Sequence, residues 1–170
     1  VHVLLATDAD WVVDDVVAAL GGPDTSFTVC RDGHAVADIV EERTPDLVVL
    51  DLQIGTMGGI AVTMALRLDE SAGTLPPVNI LVLLDRTADV HLARRSGADG
   101  WLVKPLDALR LRRAALAVAD GLQHHDGVTI TPVGDDTGDD TEDDTEDDTV
   151  TDGGAATFSA SADVEPAPAG

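Results

Sequence analysis

The stretch Asp46-Leu-Val-Val-Leu-Asp51 constrains the fold more than any other part of the chain. Four successive apolar residues, with no polar residue alternating between them, describe a strand buried on both faces. Such strands belong to parallel sheets covered by helices. The run ends in a carboxylate. Similar units stand on either side of it. Residues 2–6 read as a short strand. From Trp11 to Leu20, apolar residues at 12, 13, 16, 17 and 20 mark one face of a helix. Asp8 or Asp10 can cap that helix, and Gly21-Gly22-Pro23 stops it. Residues 26–30 form a second strand, with Cys30 buried at its end. Asp32-Gly33 turns the chain into a helix marked by Val36, Ile39 and Val40, which ends near Thr44-Pro45. After the strand 46–51, a glycine-rich loop at 55–59 leads to a helix near 60–70. A fourth strand spans 78–84, a helix 87–96, a fifth strand 101–103 and a last helix 106–122. Five strand–helix units in order predict a doubly wound α/β domain over residues 1–122, with a five-stranded parallel sheet, five helices on its two faces and right-handed crossovers.

In such sheets ligands sit beyond the carboxyl ends of the strands, near the point where strand order reverses. That edge collects Asp8 and Asp10, Asp51, Leu84-Asp85 and Lys104. Asp8 and Asp51 offer hard oxygen ligands suited to Mg²⁺, which takes one or two carboxylates together with waters and phosphate oxygens. Asp51 is placed to attack phosphorus and form an acyl phosphate. Lys104, the only lysine, would meet the phosphoryl charge. Each residue also has a plainer reading: Asp8 as a helix cap, Asp51 as a polar strand end, Lys104-Pro105 as a loop. Their convergence on one predicted edge favours the chemical reading.

Charge narrows the partners. The 170 residues carry 10 basic and 32 acidic side chains, a net charge of −22. All the basic residues lie between Arg31 and Arg113. Nucleic acid needs clustered Lys and Arg, and anionic membranes attract basic segments, so neither is an expected partner. Few lysines, abundant acids and almost no aromatics give a haloarchaeal-like, halophilic composition, in which carboxylates hydrate the surface and salt screens their repulsion. One cysteine excludes an internal disulfide. No apolar run has the length of a membrane span and no signal-type core opens the chain, so a cytoplasmic protein is expected. Residues 123–170 read as an acidic low-complexity tail, disordered by composition, with Asp-Asp-Thr repeated at a period of four over 135–149. His124-His125 reads as an exposed helix end.

Three motifs give the chain a family likeness. They are Pro45-Asp-Leu-Val-Val-Leu-Asp51, then Met57-Gly58-Gly59, then Gly97-Ala98-Asp99-Gly100-Trp101-Leu102-Val103-Lys104-Pro105. Over residues 2–122 the chain resembles the receiver domains of two-component response regulators. The resemblance implies a flavodoxin-like sheet of order 2-1-3-4-5. It implies Asp51 as phosphoacceptor, Asp8 and Asp51 as Mg²⁺ ligands with the backbone carbonyl of Gln53, and Lys104 bonded to the phosphoryl group. Trp101 stands at the aromatic switch position. A histidine kinase or phosphotransfer protein would be the donor, and a downstream protein or second receiver the recipient of the signal. The helix-four, strand-five, helix-five face, which includes Arg94, Arg95, Arg110, Arg112 and Arg113, would bind it. The domain would assist its own phosphoryl transfer and slow dephosphorylation without being an enzyme.

Two positions depart from the family pattern. Thr7-Asp8 replaces a pair of adjacent acids, leaving Thr7 to hold a metal water, with Asp10 available to lean in. Leu84 or Asp85 replaces the strand-four Thr or Ser, in a loop about two residues short, and Thr87 reads as the cap of the next helix. These departures raise an alternative, a pseudo-receiver docking module that works without phosphorylation. The Asp8-Ala9-Asp10-Trp11-Val12 run also fits the opening motif of haloacid-dehalogenase-like phosphatases, but only Asp107 and Asp120 follow Lys104 in the ordered part.

Overall fold

The computed structural model describes residues 1–126. Five units alternate as expected: β1 (His2–Ala6), α1 (Asp10–Leu20), β2 (Ser26–Cys30), α2 (Val36–Glu42), β3 (Leu47–Asp51), α3 (Gly59–Ala72), β4 (Ile80–Leu84), α4 (Val90–Ser96), β5 (Gly100–Val103) and α5 (Ala108–Ala119). Short 3-10 turns at Gly33–Ala35 and Thr87–Asp89 lead into α2 and α4. The sheet is parallel in every pair, in the order 2-1-3-4-5, and β1 lies between β2 and β3. Strand order reverses there, so the carboxyl ends of β1 and β3 form the switch-point crevice.

Side-chain alternation builds two cores. Leu4, Ala6, Val48, Leu50, Ile80, Val82 and Leu84 face one way and pack with Val36 and Val40 of α2, Val62 and Leu66 of α3, and Val90 and Ala93 of α4. Val3, Leu5, Leu47, Val49, Leu81 and Leu83 face the other way, against Val12 and Val16 of α1 and Leu111, Ala114, Ala115 and Val118 of α5. β1, β3 and β4 are buried throughout. Each buried Val or Leu contributes about 1.5–3 kcal/mol, so this double burial fixes the sheet and the positions of the residues at its ends. Cys30 is a buried free thiol at the end of β2, as expected.

The structure corrects the reading at several places. A sixth strand, β6 (His124–His125), pairs parallel with β5, Gly100 opposite His124 and Trp101 opposite His125. The ordered fold therefore extends past residue 122, and His124-His125 is a strand and not a helix end. α5 stops at Ala119, and Gly121 at φ +77° turns the chain back along the sheet. Gln-His-His-Asp carries no apolar alternation, so nothing in its pattern announces a strand. The cap of α1 is also different. Ala9 holds the cap position with no side-chain bond, and neither Asp8 nor Asp10 serves. Thr87 caps nothing. It opens the 3-10 turn, where Arg86 pairs with Asp89. The expected disorder of the tail concerns residues beyond 126, outside those described. Among the described residues no helix is long and apolar enough to cross a membrane.

Candidate functional site: an acidic pocket at the switch point

Asp51 closes β3 and is 1% exposed. Its carboxylate is held on both oxygens. Oδ2 accepts the hydroxyl proton of Thr7 at 2.8 Å. Oδ1 accepts Lys104 Nζ at 2.6 Å and, more weakly, the Gln53 backbone N–H at 3.3 Å. Thr7 follows β1 and Lys104 follows β5, so three strands deliver the cluster from positions far apart in sequence. Burying a carboxylate is costly unless it is paired and hydrogen-bonded, and here it is both.

Lys104 is anchored from several sides. Its backbone N–H donates to the Leu84 carbonyl, which sets its register against β4. Its ammonium also donates to Asp85 Oδ1 at 2.8 Å and lies 5.3 Å from the ring centre of Trp11, a cation–π distance. Burial pulls its pKa down, but the hydrogen bonds to Asp51 and Asp85 outweigh burial and hold the amine above the ordinary lysine value. For Asp85, burial pushes the carboxyl up. The Lys104 hydrogen bond and the neighbouring Gln53 side chain outweigh it and hold the group below the ordinary aspartate value. Lys104 therefore sits as a fixed cation between two carboxylates.

The site residues fall as follows. Asp51 and Lys104 meet. Thr7 is fully buried, and its hydroxyl donates directly to Asp51 while accepting the Ala9 N–H. Thr7, expected to hold a metal water, also bonds the carboxylate directly. Asp10 does not lean in, because Arg31 bonds it on the exposed surface at 2.6 Å. Arg31 also donates to the Asp8 carbonyl. Asp8 itself is exposed at the mouth, facing Gly55 of the loop after β3. Of the two candidates at the strand-four position, Asp85 enters the site and Leu84 is buried in the core.

Oxygen donors from Asp8, Asp51 and the Gln53 carbonyl are the right chemistry for Mg²⁺. A Cβ at residue 55 would come within 3.3 Å of Asp8 Oδ2, so glycine there keeps the side of that carboxylate open. The donor set fits, with one carboxylate fewer than a paired-acid site. Among the described residues no group of three His, Cys, Asp or Glu side chains is placed to hold a metal ion by itself.

Trp101 is 2% exposed beside α4, on β5 between β4 and β6. Its ring stacks on His125 with centres 4.0 Å apart, and its Nε1–H donates to the Asp126 carbonyl. Neither that covering nor the Trp11–Lys104 contact is visible in the sequence. Trp11 reads there only as the start of a helix.

A parallel doubly wound sheet with a buried, lysine-paired carboxylate at its switch point defines a class of small α/β domains with one acidic pocket. The profile of the response regulator receiver domain matches residues 3–116, and the chain belongs to that family. It is 34% identical over 104 residues to the DNA-binding response regulator MtrA of Mycolicibacterium smegmatis, covering 61% of this chain and 44% of that one. It is 28% identical over 157 residues to the transcriptional regulatory protein CseB of Streptomyces avermitilis, covering 92% and 60%. Among solved structures, the receiver domain of NarL from Mycobacterium tuberculosis is similar with a TM-score of 0.60 and 28% identity, over 71% of this chain and 97% of that one. The chain spans less than half the length of the MtrA protein.

Proposed function

We propose that this domain accepts a phosphoryl group on Asp51 from a histidine kinase or phosphotransfer protein, in a His-to-Asp relay in the cytoplasm. It then signals through contact with another protein. The observation that carries this reading is Lys104 Nζ at 2.6 Å from a buried Asp51 carboxylate at the switch point. A carboxylate oxygen of Asp51 forms the new bond to phosphorus as the bond from phosphorus to the donor's histidine nitrogen breaks; that nitrogen keeps the bonding electron pair, and a proton on the other ring nitrogen lets the donor leave as neutral imidazole. Thr7 and the Gln53 N–H hold the Asp51 carboxylate in place, and Lys104 offers its charge to the arriving oxygens. A bound Mg²⁺, held by Asp8, Asp51 and the Gln53 carbonyl, would neutralise further charge on the phosphoryl group. The domain assists transfer to itself and is not an enzyme acting on a separate substrate. Asp107 caps α5 by accepting from Leu109 and Arg110, so it does not supply the second acid that a phosphatase of the haloacid-dehalogenase type needs. The carboxylate-rich composition supports work in high salt.

The test is incubation with Mg²⁺ and acetyl phosphate at high salt, followed by intact mass. One added phosphoryl group, lost in Asp51→Asn, is the expected result. No gain in the wild-type chain rejects phosphoacceptance. That outcome supports the second reading, a pseudo-receiver docking module, which has one observation in its favour: Asp85 already satisfies Lys104 without any phosphoryl group.

A further inference from the structure

The outer side of β5 carries a contact that phosphoacceptance does not use. Without β6, the strand β5 would be the edge of the sheet, with free N–H and C=O groups open to pairing. Residues 123–126 close part of that edge. His124 N–H donates to the Asp99 carbonyl and Asp126 N–H to the Trp101 carbonyl. The Asp126 carboxylate accepts the Val103 N–H at 3.2 Å and pairs with Arg110 of α5. His125 lies flat on Trp101, and the Asp126 carbonyl takes the indole N–H. Even the floor is cut to fit. A Cβ at Gly100 would stand 2.8 Å from the His124 carbonyl oxygen and 2.7 Å from Val118 Cγ2.

This strap touches the site through one covalent step. Val103, held by Asp126, is followed by Lys104, held by Asp51 and Asp85. A phosphoryl group on Asp51 inserts between that carboxylate and the ammonium, so the Lys104 side chain must shift, and any part of that shift passed to its backbone falls on Val103 and the end of β5. The strap's bonds to Trp101 and Val103 are matched to the position of β5 when Lys104 sits on Asp51. We infer that residues 123–126 are a built-in ligand for the β5 edge and the Trp101 ring, and that their docking and phosphoryl occupancy of Asp51 oppose one another. The inference rests on Asp51 being the acceptor. Coupling of this kind is reciprocal: if occupancy weakens the strap, a weakened strap must raise occupancy by the same factor.

The experiment uses the full chain and beryllofluoride with Mg²⁺, titrated by fluorine NMR in the wild type and in His125→Ala and Asp126→Ala. Both variants should bind about fivefold more tightly, at the low end of usual coupling factors. In the unsubstituted protein, adduct formation should speed hydrogen exchange at the His124 and Asp126 amides. An adduct of equal affinity in all three proteins, or unchanged exchange at those amides, overturns the strap inference and leaves phosphoacceptance standing. No adduct in any of them overturns both.

Discussion

Asp85 lies 2.8 Å from Lys104, and under the proposed phosphoacceptor role that contact decides how much of the lysine's charge remains for an arriving phosphoryl group. A carboxylate beside the acceptor repels the incoming anion and holds the cation meant to receive it. Replacing it by a neutral hydroxyl removes both effects. Asp85→Thr should therefore bind beryllofluoride about tenfold more tightly, a gain of about 1.4 kcal/mol. The partly buried pair it breaks leaves Lys104 its bond to Asp51. Unchanged affinity in the fluorine NMR titration would show that Lys104 is shared without cost. Thr7 makes the complementary case. Its hydroxyl is the sole partner of Asp51 Oδ2 among the described residues. Thr7→Val keeps the shape and strands a buried carboxylate oxygen, which costs about 1–3 kcal/mol. A lower urea midpoint with an unchanged slope would record it, and an unchanged midpoint would mean that water replaces the bond.

At the scale of elements, the strap has its own chemistry. Burial lowers the His125 pKa first, and the charges of Arg94 and His124 lower it further. The ring shares a cleft with His91 and Arg94 of α4 and with Asp99 and Trp101 around β5, while Asp126 and Arg110 pair beside it. A base whose pKa falls on docking binds protons less in the docked state. Docking is therefore fully favoured above the ordinary histidine value of 6.5 and weakens as pH drops through it toward the lowered value. The Trp101 indole N–H signal should accordingly lose exchange protection below about pH 6.5, and His125→Phe, which keeps the stack without the titration, should abolish that dependence. A profile identical in both proteins would assign the change elsewhere. The contrast with the other elements explains what sequence can and cannot tell. The strands β1, β3 and β4 are legible because double burial leaves long apolar runs such as Leu47 to Leu50. The acidic edge is legible because acids and the solitary lysine punctuate the ends of those runs. Asp51 and Lys104 therefore stand out by position alone. β6 escapes because its pairing is specified by one stacked ring, one carboxylate and the missing Cβ of Gly100, and such long-range partners leave no periodicity. The bond from Thr7 escapes in the same way. A threonine beside Asp8 says nothing of which oxygen it faces until β1 and β3 lie side by side. The expected cap at Asp8 or Asp10 fails because Ala9 takes the cap position and Asp10 is already the first helical residue, its carboxylate held by Arg31.

For the whole molecule, charge outweighs every local contact. The full chain has a net charge of −22, and its described residues alone hold 19 acids against 10 bases, a surplus that repels itself in the folded domain. The cations of the described part are partly consumed by local pairs, Arg31 with Asp10, Arg67 with Glu70 and Asp99, Arg86 with Asp89, and Arg110 with Asp126. Those pairs are mostly exposed or half-buried, so salt weakens them, and each is worth little. The unpaired surface acids respond to the same salt in the opposite sense. Their mutual repulsion is screened as the Debye length falls from about 10 Å at 0.1 M to about 3 Å at 1 M. Because unpaired acids outnumber the pairs, relief of repulsion wins. The buried Lys104–Asp51 contact, with the lysine 12% exposed, changes least. The melting temperature of the full chain should therefore rise by several degrees as KCl is raised over that range, with the rise shared by Asp51→Asn because it does not originate in the pocket. A melting temperature that falls with KCl would mean that the local pairs, and not the excess carboxylates, dominate the surface, and the high-salt reading of this composition would go with it.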